Sequence, residues 1–186
     1  MTGRHIPSRW HGSLLGNDFR ANRTVRYSIE ESGSGFKSQE VETVLHSSHR
    51  SYRPVDIKMG PDGAVYIVDW YNPIIDHGEV DFHHPLRDKS HGRIWRLTAI
   101  DQPLLEWPVI AEATNTELFE HLTSDEQYTR TQANRELVRR QTSREEIDEW
   151  IKSLDETDPA HSHHLLEALW LAHALNLEAN GLEDAP

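Results

Sequence analysis

Val55-Asp56-Ile57-Lys58-Met59-Gly60-Pro61-Asp62-Gly63-Ala64-Val65-Tyr66-Ile67-Val68-Asp69-Trp70 is the stretch on which the fold reading turns. Apolar and polar residues alternate over Val55 to Met59, the period of a strand with two unlike faces. Gly60-Pro61-Asp62-Gly63 then supplies two glycines and a proline, the residues that tight turns need, and Ala64 to Trp70 follows with β-branched and aromatic side chains. The segment therefore predicts an antiparallel hairpin. A hairpin turn is expected here in preference to a phosphate-binding loop, because the glycines are followed neither by a Gly-Lys-Ser/Thr ending nor by a helical pattern.

Working outward, Gly92-Arg93-Ile94-Trp95-Arg96-Leu97 reads as a further strand able to pair with Ala64 to Trp70. Upstream, Val25, Tyr27 and Ile29 alternate with Arg26 and Ser28. The Gly33-Ser34-Gly35 turn follows, and Gln39 to Leu45 places Val41, Thr43 and Leu45 on one face, a second hairpin. Short antiparallel units joined by Gly/Asp turns fit about two blades of a β-propeller, with a β-sandwich as the alternative. Two blades cannot close a propeller, so this half is expected to be unstable and prone to aggregate in isolation.

The period changes near Ile100. Leu118, Phe119 and Leu122; Tyr128, Ala133, Leu137 and Val138; Ile147, Trp150, Ile151 and Leu154; and Leu165, Leu166, Leu169, Trp170 and Ala174 each form a helical stripe. Capping-box spacing is present at Thr114-x-x-Glu117, Ser124-x-x-Gln127 and Ser143-x-x-Glu146, and Asp158-Pro159 offers an N-cap with proline at the first helical position. Four helices in two antiparallel hairpins are expected, each of HEAT or armadillo size. The fold class is thus β and α in separate domains: a partial β-propeller over 1–100, a linker over 101–113 and HEAT-like helical hairpins over 114–186.

Charge divides the chain in the same place. Residues 1–100 hold 13 Lys and Arg against 12 Asp and Glu, net +1; residues 101–186 hold 6 against 19, net −13, which together make the overall −12. Nine of the ten glycines lie in the first hundred residues. The acidic half would be repelled by nucleic acid. There is no cysteine, so disulfides, thiolate metal sites, cysteine nucleophiles and a covalently attached c-type haem have no residues to form them. No run approaches the ~20 apolar residues of a membrane span, and Met1 to Leu15 lacks the apolar core of a signal peptide.

Candidate chemistry concentrates in Tyr71 to His91. Asn72, Asp76, His77, Glu79, Asp81, His83, His84, Asp88 and His91 crowd there, next to Asp69 at the strand end. Oxygen and imidazole ligands without thiolate suit Ca²⁺ through carboxylates, or zinc, copper or iron through histidines. Asp69, Asp76, His77, Glu79 and Asp81 are the candidate metal ligands. His77 reads equally as a general base oriented by Asp76 or Glu79. A loop of about twenty residues between strands that should pair is unusual in a compact domain and commonly functional, whereas a solvated polar loop is the plainer reading. His161, His163 and His164 sit at a helix start, where solvent-facing caps are expected. The acidic helix residues read as a solvated face. No Gly-x-Ser-x-Gly or His-Glu-x-x-His motif occurs.

A family resemblance rests on named residues. Tyr52-Arg53-Pro54, the hairpin quoted above, Tyr71-Asn72-Pro73-Ile74-Ile75, His77-Gly78-Glu79 and His91-Gly92-Arg93-Ile94-Trp95-Arg96-Leu97 resemble the large proteins of planctomycetes and related bacteria classed as membrane-bound dehydrogenases. Asn17-Asp18-Phe19-Arg20-Ala21-Asn22-Arg23 fits the preceding blade of that family. Gly-Pro-Asp-Gly before a Tyr-containing strand, with Gly-Arg-Ile-x-Arg-Leu after it, is similar to the blades of soluble sugar dehydrogenases that use pyrroloquinoline quinone. Tyr128-Thr129-Arg130 and Leu166-Glu167-Ala168-Leu169-Trp170-Leu171 resemble the start of the family's HEAT-like region.

The resemblance implies an exported, periplasmic or otherwise extracytoplasmic protein with a six-bladed propeller, a HEAT-like region and a cytochrome c domain. This chain would be a fragment of it, partnered by the rest of the propeller and that cytochrome domain. It implies a quinoprotein-like oxidoreductase acting on sugars or other alcohols, with Ca²⁺ and pyrroloquinoline quinone in the intact protein and no haem in this chain. In that role His77 and Asp76 would be acid/base groups, Arg93 a catalytic counter-charge, and Arg93, His91 and Asn72 cofactor contacts. The alternative expectation is a non-catalytic propeller and HEAT module docking carbohydrate or protein partners.

Overall fold

The structure is a computed structural model and describes residues 1–75 and 83–177. Six strands precede four helices: β1 (Leu14–Asp18), β2 (Arg23–Ser32), β3 (Gly35–His46), β4 (Pro54–Met59), β5 (Val65–Asp69), β6 (Arg93–Leu97), α1 (Asn115–His121), α2 (Gln127–Arg139), α3 (Arg144–Ser153) and α4 (His161–Ala174). The chain divides into two compact units, Met1–Glu106 and Trp107–Pro186. Each is described by itself.

In the first unit the strands form two three-stranded antiparallel sheets, ordered β1-β2-β3 and β4-β5-β6. The mixed β and α content follows the sequence expectation, as does the pairing of β6 with β5, which sets Val65 opposite Leu97, Ile67 opposite Trp95 and Asp69 opposite Arg93. The turn between β4 and β5 closes with Gly63 N donating to Gly60 O at 3.1 Å. Gly63 has φ +79°. A Cβ there would lie 2.7 Å from the Cβ of His5, so glycine is required for both backbone and space.

Because side chains alternate, Val65, Ile67 and Asp69 share one face of β5. Ile67 is fully buried and Val65 nearly so, packed with Ile6 against Leu15, Leu45, Ile57, Met59 and Leu97. Leu15 and Leu45 come from the first sheet, so this small core joins the two sheets. The N-terminal segment closes it. The buried His5 accepts from Ala99 N through Nε2 at 3.1 Å, so Nδ1 carries the proton donated to Pro103 O at 2.8 Å. On the opposite face of the second sheet Val68 and Ile94, a register pair, are exposed. β3 is exposed over most of its length.

Polar side chains complete the joint. Tyr52, fully buried, lies 3.4 Å from Thr24 Oγ1 of β2 through its hydroxyl and edge-on to Trp95 of β6 with ring centroids 6.2 Å apart. Arg53, also buried, donates from Nε to Asn72 O at 3.0 Å and from Nη1 to Phe19 O at 2.9 Å. Asp62 accepts from Ala64 N at 3.1 Å, from the Tyr66 hydroxyl at 2.8 Å and from Arg96. Its carboxyl lies below the usual carboxylate range: burial pushes it up, and the Tyr66 hydroxyl, the Ala64 N–H and Arg96 together outweigh that.

In the second unit α1 packs on α2, α2 on α4 and α3 on α4. Leu118, Leu122, Ala133, Leu137 and Leu171 are fully buried at the centre, and Phe119 stacks on Trp150 at 5.3 Å. Arg130 of α2 donates to Glu167 of α4 at 2.9 Å, a largely buried pair. Capping boxes form at Thr114/Glu117 and Ser143/Glu146. Two expected start signals are corrected. The Ser124 hydroxyl donates to the Glu126 carboxylate, so α2 begins at Gln127 with Glu126 as N-cap and no side-chain cap. Asp158 accepts from Ala160 N at 2.7 Å in the preceding turn, and α4 begins two residues later than expected, at His161 with Ala160 as N-cap. Within 101–113, Leu105 N donates to Asp62 O at 3.0 Å, and Ala113 is buried in the helical core.

Candidate functional site at the end of the second sheet

Asp69 ends β5 on its inward face, and that parity is why a carboxylate is buried there, 1% exposed. Its Oδ1 accepts from Arg53 N at 2.8 Å and Tyr71 N at 2.9 Å. Its Oδ2 accepts from Arg93 Nε at 3.0 Å and Trp95 Nε1 at 3.1 Å. Four donors fill the roughly four acceptor sites of a carboxylate. Asp69 is therefore a strut that fixes the strand end, with no lone pair left for a metal ion.

The strut sets the chain beyond it. Tyr71 takes φ +53°, a conformation that non-glycine residues adopt rarely, held by its N–H on Asp69. Its ring lies under Arg93, whose guanidinium carbon is 3.9 Å from the ring centroid. His49 stacks on the same ring at 5.6 Å, and His91 meets it edge-on at 5.8 Å. Three imidazole or guanidinium groups thus gather on one tyrosine. Arg93 has only its Nε engaged among the described residues, and its side chain is 38% exposed. Its two Nη groups can bind an anionic oxygen.

His91 is oriented by Asp88. Nδ1 donates to Asp88 Oδ2 at 2.8 Å, and the ring is well exposed. Asp88 is itself fixed by the N–H groups of Ser90 and His91, each 2.9 Å from Oδ1. The Ser90 N–H first, then those of His91, hold the Asp88 carboxyl down to about 2 against the opposing effect of desolvation. With Nδ1 committed, Nε2 is the ring nitrogen available to accept a proton, the arrangement of a general base with an orienting carboxylate.

The sequence candidates fare unequally. Arg93 and His91 come together on Tyr71. Asn72 is buried at 2% exposure, donating to Asp88 O at 3.2 Å and accepting from Ile74 N at 3.1 Å, so both ends of its amide are engaged in the loop itself. Asp76, His77, Glu79 and Asp81 lie outside the described residues. Among the described residues no three His, Asp or Glu side chains are placed to hold a metal ion. In the helical unit His164 is buried rather than solvent-facing, a correction to the expected cap. The sequence marked Tyr71 as part of the loop and its family motif but not as the centre of a site, a role that depends on its backbone conformation, and His49 lies outside the strand motif.

Fold and site together define a two-unit β plus α protein with a cationic, aromatic corner at a sheet end. Residues 1–101 match a domain of unknown function, DUF7133, and the chain belongs to that family. No curated protein and no solved structure matches it. No helix among the described residues is long and apolar enough to cross a membrane.

Proposed function

We propose that the chain is part of a quinoprotein-like oxidoreductase acting on sugars or other alcohols, and that the Tyr71 corner receives an anionic group of cofactor or substrate. In this reading the two sheets are partial propeller blades and the helices open a HEAT-like region. The observation that carries it is the convergence of His91 and Arg93 on one ring: an oriented base and an anchored cation side by side. Exposed Val68 and Ile94 on the outer face of the second sheet support the blade assignment, because stacked blades would cover them.

Pyrroloquinoline quinone, an anionic quinone that accepts a hydride equivalent when bound, fits the donor set in part. Arg93 suits its carboxylates, His91 with its free Nε2 suits acceptance of a proton beside it, and Asn72 and Asp69 do not serve as contacts, being spent on the protein itself. Calcium would have to use carboxylates other than Asp69.

A second reading, a non-catalytic module that docks an acidic carbohydrate or peptide, is favoured by the saturation of Asp69, which leaves a binding corner with a single base. Dye-linked turnover separates the two. Intact protein supplied with Ca²⁺ and pyrroloquinoline quinone is assayed on a panel of sugars and alcohols, beside His91→Ala. Turnover that falls at least tenfold in the variant supports the oxidoreductase. Binding of the quinone without turnover on any substrate selects the docking module.

A further inference from the structure

A groove of about 600 Å³ opens in the first unit, at the opposite end of the second sheet from Tyr71. Val65 of β5 and Leu97 of β6, a register pair, line it, whereas the pair Asp69 and Arg93 marks the Tyr71 end. Four residue steps along the strands put roughly 13 Å between the two places. The other walls are residues 5–10 of the N-terminal segment, residues 42–44 of the edge strand β3 and residues 98–102 beyond β6. The volume is that of a small-ligand site.

Three of its side chains hold unused hydrogen-bonding capacity. Trp10, on the single 3-10 turn Ser8–Trp10, keeps its indole Nε1–H out of water with no hydrogen-bond partner among the described residues. Such an orphaned donor costs stability that a ligand acceptor would restore. Glu42 accepts from Arg26 Nε at 2.7 Å through Oε1, its other oxygen accepts no hydrogen bond among the described residues, and its side chain is 40% exposed. Arg9 is exposed, and its guanidinium makes no ion pair or hydrogen bond among the described residues. Arg26 first, then Arg9 and Trp10 more weakly, hold the Glu42 carboxyl below its ordinary range against the opposing effect of burial. Trp10 and Arg9 therefore face this carboxylate without bonding it. The fourth polar group, His5, has both ring nitrogens engaged by Ala99 and Pro103 and serves as wall.

The ligand's chemistry follows from that set. An indole donor beside a half-used carboxylate is matched by hydroxyl groups, which accept from the first and donate to the second. An anion would meet Glu42 and the exposed Asp101, and a cation would meet Arg9 and a Glu42 already held by Arg26. A neutral ligand with several hydroxyls meets neither penalty. Pro7, Leu97 and Ile100, the last 99% exposed, offer apolar surface to the C–H faces of such a molecule.

We propose that this groove is a holding site, without chemistry of its own, for a short run of a neutral glycan chain. The Trp10 ring tilts toward the ligand so that Nε1 donates to a hydroxyl, Glu42 accepts from one, and Arg9 bonds another at the rim. The test is isothermal titration of cellohexaose, maltohexaose, xylohexaose and mannohexaose, with hexagalacturonate as the charged counterpart, into the full chain and two variants. Trp10→Phe keeps an aromatic ring and removes the N–H, and Arg9→Gln changes an exposed position whose loss leaves the fold intact. The expected result is saturable binding of at least one neutral chain, weakened about fivefold or more in Trp10→Phe and about threefold or more in Arg9→Gln, the worth of a lost hydrogen bond in each case. No saturable binding of any neutral chain, undiminished binding in either folded variant, or tighter binding of hexagalacturonate overturns the proposal. No quinone is present in these titrations, so a failure of the Tyr71-corner reading leaves their outcome unchanged.

Discussion

Asp69 and Arg93 stand opposite each other across β5 and β6, joined by Arg93 Nε donating to Asp69 Oδ2 at 3.0 Å, and this cross-strand pair holds the guanidinium over Tyr71. Asp69 also binds the two backbone N–H groups that aim the loop. The candidate site is thus an extension of the sheet's own hydrogen bonding.

Asp69→Asn should therefore destabilise the first unit well beyond a typical polar substitution. An amide retains one acceptor oxygen, so two of the four donors lose their partner, and a loss of roughly 2–4 kcal/mol is expected. Urea unfolding read at the tryptophans measures it. An unchanged midpoint would mean that the four bonds are replaced by water.

Gly63→Ala should be costly for its size. The left-handed conformation alone costs a residue with a Cβ about 1–2 kcal/mol, and the contact with His5 adds to that. Because His5 also clips Ala99 and Pro103, thermal unfolding of this variant should show earlier loss of the first unit than of the helices.

Glu136 gives the helical unit an acid limit. Bonds from Arg139 first and Arg140 second hold its carboxyl down to about 2, against the ordinary 4.5. A depressed folded value means stability that is present in full above the ordinary value and is lost as pH falls from about 4.5 toward 2. Denaturant unfolding across that window should show a downward slope that Glu136→Gln flattens. The same slope in both proteins would remove Glu136 as its source.

Thr114→Ala and Ser143→Ala should each cost about 1 kcal/mol, because each side chain accepts a helix N–H that otherwise goes unpaired. Ser124→Ala should cost less, since the Ser124 hydroxyl accepts only from Glu126 N and caps no helical N–H. Helix content by circular dichroism with urea unfolding ranks the three.

Much of the fold was legible because period and punctuation agree. Alternation in Val65 to Asp69, the Gly60–Gly63 turn and the parity of Arg93 and Trp95 locate three paired strands, and helical stripes with two true capping boxes locate the helices. The same parity already places Asp69 on the buried face with Val65 and Ile67, which marks it as structural; reading it as a ligand weighed its chemistry above its position. The β2–β3 register was not legible, because shifts at Thr24/Val25 and Arg26/Tyr27 arise from backbone irregularity. Tyr71 was hidden for a similar reason, its role depending on φ +53°. His164 was misread as a cap because the helix begins at a different residue from the one Asp158-Pro159 suggests.

The most direct test of the Tyr71 corner is isothermal titration of pyrroloquinoline quinone into the full chain and into Arg93→Gln and His91→Ala, with folding verified by circular dichroism. The account predicts saturable binding weakened about tenfold or more in Arg93→Gln, the worth of a charge-assisted contact, and a smaller loss in His91→Ala. Binding of equal strength in all three folded proteins would contradict it.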